Sequence, residues 1–265
     1  MNIVELNGRI DDQQRAQHLF SGDVIVHKNI QAMHDLITFT NTLLNKHLQG
    51  LDPTTAQLQL SQQVFLEATG QAQTQFRKSE VARNLFFKVL RECGVDTQQC
   101  FYDHFPLRVV PFSNLHHGAH RAAIGHHRDT WGSNINCQQN WWAPIFNLTQ
   151  ARTIALYPAY WDKPLANNTV SWSFTEFLAA RKQVPTERQV DYPSAPTPTE
   201  IVDETAVVKL VIEPGDVLNF ASAHLHASVP NSSNATRYSV EMRTVNQIDL
   251  TSKAGAPNVD NAGSP

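Results

Sequence analysis

From Gln31 the pattern changes period: Met33, Leu36, Ile37, Thr40, Leu43, Leu44 and His47, mostly apolar, recur at helical spacing. That period predicts an amphipathic helix ending near Gly50, with Asp52-Pro53 just beyond as a stop. The preceding stretch, GDVIVHKNI, reads as a short apolar strand opened by Gly22. A polar, Gln-rich segment from about Thr55 to Thr74 predicts a second, partly exposed helix. A third is expected from Ser79 as N-cap, with Val81, Leu85, Val89 and Leu90 facing inward.

After Gly94 the texture changes to aromatic and β-branched runs: FYDHFPLRVVPF, NWWAPIFNL, RTIALYPAYW, AVVKLVIEPGDVLNF and TRYSVEMRTV. Pro, Asn, Gly and Asp punctuate them, the pattern of short antiparallel strands. Helices first and strands afterwards predict a mainly β domain, a sandwich or barrel with flanking helices. We divide the chain into one domain over residues 1–250, with a helical flank at 1–94 and a β core at 95–250. Residues 185–204, rich in Pro and Thr and without periodicity, read as an inserted loop. The small, polar residues 251–265 read as a flexible tail.

Composition narrows the function classes. At 265 residues, 41% apolar and 17% charged, the chain fits a soluble globular protein. No apolar run reaches the ~18–20 residues that cross a bilayer, and MNIVELNGRIDDQQ lacks the basic and apolar regions of a secretory signal. A net charge of −3 argues against a nucleic-acid surface. These features lead us to expect a cytoplasmic protein with a small-molecule substrate and neither a nucleic-acid nor a membrane partner. Cys93, Cys100 and Cys137 form no CxxC pair and are expected to be reduced.

The candidate chemistry begins at GHHRDTWG, residues 125–132. In extended chain His127 and Asp129 project to the same side. In a protein with twelve histidines such a triplet is weak on its own. A second stretch, PGDVLNFASAHLHASVPNSSNATRYSV, adds His224, His226, Arg237 and Ser239, the last two sharing a strand face. Two histidines and a carboxylate bind one face of Fe(II) and leave three positions open. An arginine carried deep into a sheet needs an anion. A dicarboxylate chelating iron at one end and pairing with Arg237 at the other meets both needs, with Ser239 as an added donor.

His127-x-Asp129, then His226, ten residues, and Arg237-x-Ser239 resemble the signature of the Fe(II)/2-oxoglutarate-dependent dioxygenases. HASVPNSSNATR is similar to the distal segment of their phytanoyl-CoA dioxygenase-like branch. The resemblance covers roughly residues 100–245. It implies a double-stranded β-helix (a jelly roll) with Fe(II) at its open end. It also implies 2-oxoglutarate bound inside, and O₂-dependent hydroxylation of a substrate C–H bond. His127, Asp129 and His226 become the metal ligands and catalytic centre, the ten-residue spacing selecting His226 over His224. Arg237 and Ser239 become the 2-oxoglutarate contacts, and Trp142 resembles a tryptophan that helps hold it. Halogenases of this family lack the carboxylate, so Asp129 favours hydroxylation.

Around this centre, Thr130, Trp131, Tyr160, Trp161 and His224 are candidate substrate contacts, and Arg121 and Arg243 candidate contacts for an anionic one. His126 points away from the ligands on a strand, and His116, His117 and His120 read as loop residues. QQNWWAPIF places Gln138, Asn140 and Trp142 on one face and Gln139 and Trp141 on the other. No strong basic patch supports docking of a CoA ester or carrier protein. Two other readings share the barrel: a cupin-type metal protein or non-redox isomerase, and an inactive binding module. Arg237-x-Ser239 and the intact ligand set argue against them.

Overall fold

The alternating runs of the second half, joined by two strands from the segment expected to be a helical flank, build two facing sheets in the computed structural model, which describes residues 1–112, 124–183 and 195–263. Among the described residues the larger sheet has seven strands. β1 (Ile3–Leu6) pairs in parallel with β2 (Val24–His27). The order then runs through β8 (Val217–Ala221), β5 (Gln138–Pro144) and β10 (Arg237–Asn246) to β3 (Cys100–Tyr102), and β4 (Leu107–Val110) also pairs with β10. The smaller sheet sets β6 (Ile154–Leu156) between β7 (Val208–Leu210) and β9 (His226–Ser228).

Register assigns the two faces of the larger sheet. Trp142 lies opposite both Leu218 and Glu241, and Asn140 opposite both Phe220 and Arg243. Directly paired residues share a face, so these six point the same way. Arg237, Ser239 and Arg108, which pairs with Ser239, follow them. Trp142, Leu218, Phe220, Val24 and Val26 pack there against Ile154, Leu156, Leu210 and Ile212 of the smaller sheet and its flank. The inner face is therefore apolar on one side and carries a row of charged side chains along β10.

The outer face carries Trp141, Ala143, Tyr238, Val240 and Met242 and is covered by helices. These are α2 (Gln31–His47), α3 (Gln62–Lys78) and α4 (Glu80–Glu92). α2 buries Met33, Leu36, Thr40, Leu43 and Leu44, as its period predicts. The Gln-rich segment opens with a short 3-10 turn at Ala56–Leu58, and α3 begins only where Ser61 accepts a capping bond from Val64 N.

Ser79 caps α4 as expected, yet Val81 is 54% exposed. The buried stripe is Ala82, Phe86, Val89 and Leu90, so the first turn buries Ala82 and leaves Val81 facing solvent. Burying a side chain such as Phe86 contributes about 2–3 kcal/mol. Gly94, at φ +96, ends this region, and a Cβ there would stand 2.1 Å from Ile10 O.

Further helices were not foreshadowed by apolar period. α1 (Asp12–Phe20) starts at Asp11, whose carboxylate accepts from Gln14 N, and α7 (Gln247–Ser252) is capped by Asn246. α6 (Phe174–Gln183) precedes the expected inserted loop at 185–204, of which residues 185–194 lie outside the described residues. Residues 251–263, expected to form a flexible tail, follow a defined path back across the β core, where Ala256 N donates to Asn136 O. The three cysteines are unpaired thiols.

Candidate metal centre

The first two candidate ligands come from a strand-to-helix turn. His127 makes an isolated antiparallel bridge with His226, each amide donating to the other's carbonyl at 3.0 Å. Asp129 then opens the short helix α5 (Asp129–Ser133), and its amide donates to Ser222 O at 3.0 Å. Extended chain therefore carries His127 but not Asp129, which turns toward the histidines as the first helical residue.

His127, Asp129 and His226 each offer a ligand atom, all within 4.8 Å of one another. His127 Nε2 is 3.8 Å from Asp129 Oδ1, and His226 Nε2 is 3.6 Å from Asp129 Oδ2. His127 Nδ1 lies 2.8 Å from Gly125 O, and His226 Nδ1 lies 2.9 Å from His224 O. A carbonyl only accepts, so both Nδ1 atoms carry protons and both Nε2 lone pairs face the carboxylate. Fixing the tautomer this way is what a metal-binding imidazole requires.

The carboxylate is held by two further side chains. Arg243 Nη1 donates to Asp129 Oδ1 at 3.0 Å, and Asn140 Nδ2 donates to Oδ2 at 2.5 Å. Arg243 is itself fixed by Asp103, at 2.6 Å from Nε. Burial alone would raise the Asp129 carboxyl, but the charges of His226 and Arg243 and the Asn140 hydrogen bond hold it well below the usual carboxylate range. Burial, and then the neighbouring His127, brings His226 down to about 4. Near neutral pH the site thus presents one carboxylate and a neutral imidazole at His226, a donor set suited to a divalent metal.

Further along the inner face, buried polar atoms stand without hydrogen-bond partners among the described residues. They are Arg237 Nε, Ser239 Oγ and Trp142 Nε1. Arg237 is 2% exposed, and among the described residues its guanidinium donates only to Thr153 O and Ser228 Oγ, both neutral acceptors. Burial, and then the nearby Arg108, brings its pKa down to about 10. Arg108 instead pairs with Glu241, its Nε donating to Oε2 at 3.1 Å. An unmatched buried cation with two idle donors beside it fits a small anion.

The remaining candidates occupy the protein around this centre. Trp131 is 2% exposed and donates Nε1 to Asp260 Oδ1 at 2.7 Å. Tyr160 is buried in the same cluster, and its hydroxyl accepts from Asp203 N. The ring of Trp161 lies tilted against that of His224 at 4.4 Å between centroids, and burial brings His224 down to about 3. Thr130 is buried, with its carbonyl accepting from Asn261. His126 turns away from the ligands toward Tyr157 and Glu204. Arg243, read as a possible substrate contact, is engaged with Asp129 and Asp103. His116, His117, His120 and Arg121 lie outside the described residues.

Sequence reasoning did not single out Asn140 as a partner of Asp129, nor the Arg108–Glu241 pair. A signal existed for both: Asn140 alternates with Trp142 on β5, and Glu241 and Arg243 continue the two-residue period of Arg237 and Ser239. Asp103 and Asp260 had no such signal.

No protein-family model matches the chain, and no curated protein does. Solved structures do. EvdO2 from Micromonospora carbonacea var. aurantiaca, complexed with 2-oxoglutarate, is 10% identical over 92% of this chain and 94% of its own, with a TM-score of 0.51. The nickel complex of the non-haem monooxygenase ThoJ is 12% identical over 88% of this chain and 76% of its own, at 0.45. The epimerase SnoN, in complex with Fe3+, alpha-ketoglutarate and nogalamycin RO, is 8% identical over 88% and 83%, also at 0.45. At such identities the likeness is one of fold, and the fold this chain shares over nearly its whole length is that of EvdO2.

Proposed function

We propose that the chain is a non-haem Fe(II)/2-oxoglutarate-dependent oxygenase, built on a double-stranded β-helix, that hydroxylates a C–H bond of a small molecule. The observation that carries this reading is the meeting of two features at the inner face of the larger sheet. Arg243 and Asn140 of that face hold Asp129 of a His-Asp-His set whose imidazoles are both aimed at the carboxylate, and the same face carries an unmatched Arg237. The fold likeness to EvdO2, which was solved with 2-oxoglutarate, supports it. So does the sequence resemblance, in which HASVPNSSNATR points to the phytanoyl-CoA dioxygenase-like branch.

His127, Asp129 and His226 would hold the metal by Nε2, carboxylate and Nε2, leaving open positions for a cosubstrate. Arg237 and Ser239 would take the far carboxylate of 2-oxoglutarate, and Trp142 Nε1 would add a third donor. The apolar wall of Val24, Val26, Leu218 and Phe220 excludes water from the space these residues share. When bound, Fe(II) and 2-oxoglutarate would supply O₂-dependent oxidation of a substrate C–H bond, coupled to oxidative decarboxylation of the keto acid to succinate and CO₂. Asn140 and Arg243 keep Asp129 ionised and oriented, and Gly125 O and His224 O keep both imidazoles in the binding tautomer.

A metal protein of the cupin kind has no use for a buried arginine without a counter-charge, so Arg237 separates the two readings. Calorimetric titration of 2-oxoglutarate into anaerobic Fe(II)-loaded protein tests the assignment. Binding should weaken about 100-fold in Arg237→Ala, as expected when a charge-assisted contact worth up to ~3 kcal/mol is lost. Equal binding by wild type and Arg237→Ala would remove 2-oxoglutarate from the account.

A further inference from the structure

Between the ligands His127 and Asp129 stands Arg128, whose side chain is 2% exposed. Its guanidinium donates to Ala223 O at 2.5 Å, to Tyr160 O at 2.6 Å and to Lys163 O at 3.3 Å. Ala223 lies three residues before His226, so this one guanidinium joins the two segments that carry the ligands. Three carbonyls supply hydrogen bonds but no charge. The charge comes from Asp260, in the C-terminal tail, whose Oδ2 accepts from Arg128 Nε at 3.0 Å.

Asp260 is itself a junction. Its side chain is 4% exposed. Its second oxygen accepts from Trp131 Nε1 on α5 at 2.7 Å, and Leu165 N also donates to Oδ2, at 3.1 Å. The neighbouring tail residues follow the same course. Asn261 Nδ2 donates to Thr130 O at 2.7 Å, and Ala262 N donates to Thr169 Oγ1 at 3.1 Å. A buried carboxylate that meets both the residue between two ligands and the helix begun by the second ligand does more than fasten a chain end. A buried ion pair is poor at adding stability but strong at fixing one arrangement, since either partner alone is left as an uncompensated charge.

We propose that Asp260 is a positioning residue for the metal centre. The tail sets the spacing between the His127–Asp129 turn and the His226 segment by holding Arg128 against Ala223 O. The inference rests on the reading of His127, Asp129 and His226 as a metal site. It requires that metal and tail report on each other, because coupling between two sites is reciprocal.

The test uses the full chain and Co(II), whose visible d–d bands report ligand geometry. Amide hydrogen exchange is followed with and without the ion. In the wild type, Co(II) is expected to slow exchange at residues 126–131 and, by at least about fivefold, at Asn261 and Ala262. Asp260→Asn is expected to keep the far-ultraviolet circular dichroism of the wild type. It should bind Co(II) about tenfold more weakly, with altered d–d bands. Protection confined to the ligand segments, with the tail unchanged, would overturn the proposal. So would a folded Asp260→Asn protein with wild-type affinity and bands. If Asp260→Asn does not fold, the wild-type exchange pattern decides alone. If the wild type binds no Co(II), the metal reading itself has failed; binding with a silent tail fails only the role of Asp260.

Discussion

Arg243 Nη1 donates to Asp129 Oδ1 at 3.0 Å, so the carboxylate of the candidate centre is held by a strand of the larger sheet rather than by its own loop. β10 thereby carries both features: Arg243 holds Asp129, and Arg237 and Ser239, on the same face, keep buried polar atoms without partners among the described residues. Replacing Arg243 by Met frees the carboxylate to rotate and removes the charge that keeps it ionised. Fe(II) affinity at pH 7 is expected to fall about 10–100-fold, the usual effect of losing a partner of a ligand. Anaerobic equilibrium dialysis measures it, and undiminished affinity would show that Asn140 alone suffices.

Ser239 and Trp142 allow a sharper distinction. Their donors are buried and idle in the protein alone, so removing them should not weaken the fold. Ser239→Ala is expected to leave the unfolding free energy of the metal-free protein within about 0.5 kcal/mol of wild type. The same substitution should weaken 2-oxoglutarate about 5- to 10-fold, worth ~1–1.4 kcal/mol. A loss of stability without a loss of binding would make Ser239 a packing residue.

Acid stability follows from three histidines. Chiefly through burial, His226 is brought from 6.5 down to about 4, and His27 and His224 from 6.5 down to about 3. Once unfolded, each regains its ordinary value and takes up a proton that the folded form refuses. Stability of the metal-free protein is therefore full above about pH 6.5 and falls as pH drops toward 3–4. Each histidine contributes about 1.4 kcal/mol per pH unit across that window. Urea midpoints at pH 7.5, 6 and 5 measure the slope, and a flat profile contradicts it.

The Arg108–Glu241 pair sits on the same inner face, partly buried at 21% and 31% exposure. Arg108→Met leaves Glu241 without its counter-charge and is expected to cost about 1–3 kcal/mol. Arg108→Met combined with Glu241→Met should recover most of that loss, because no charge is then stranded. Thermal unfolding of the two variants makes the comparison.

Much of this was legible in the chain because strands alternate. The two-residue period of Arg237 and Ser239, and of Asn140 and Trp142, fixed which side chains meet between the sheets once the pairing was known. The helical stripe of α2 was equally readable, because Met33, Leu36, Leu43 and Leu44 have no other face to bury. Val81 misled because apolar character alone does not say where the first turn after a cap points. Asp129 was read from extended chain, yet the turn into α5 depends on Ser222 O, which lies 93 residues away in the sequence. Asp103 and Asp260 were invisible for the same reason: each acquires its role only when a distant arginine arrives.

The most direct test of the central claim is visible absorption of the anaerobic Fe(II) protein titrated with 2-oxoglutarate. Chelation of iron by the keto acid gives a weak metal-to-ligand charge-transfer band, and no substrate need be known. The account predicts that the band grows and saturates in the wild type. It should need far more 2-oxoglutarate in Arg237→Ala and be absent in His226→Ala. Tight Fe(II) binding with no band at any 2-oxoglutarate concentration would contradict the account and leave a metal protein of another kind.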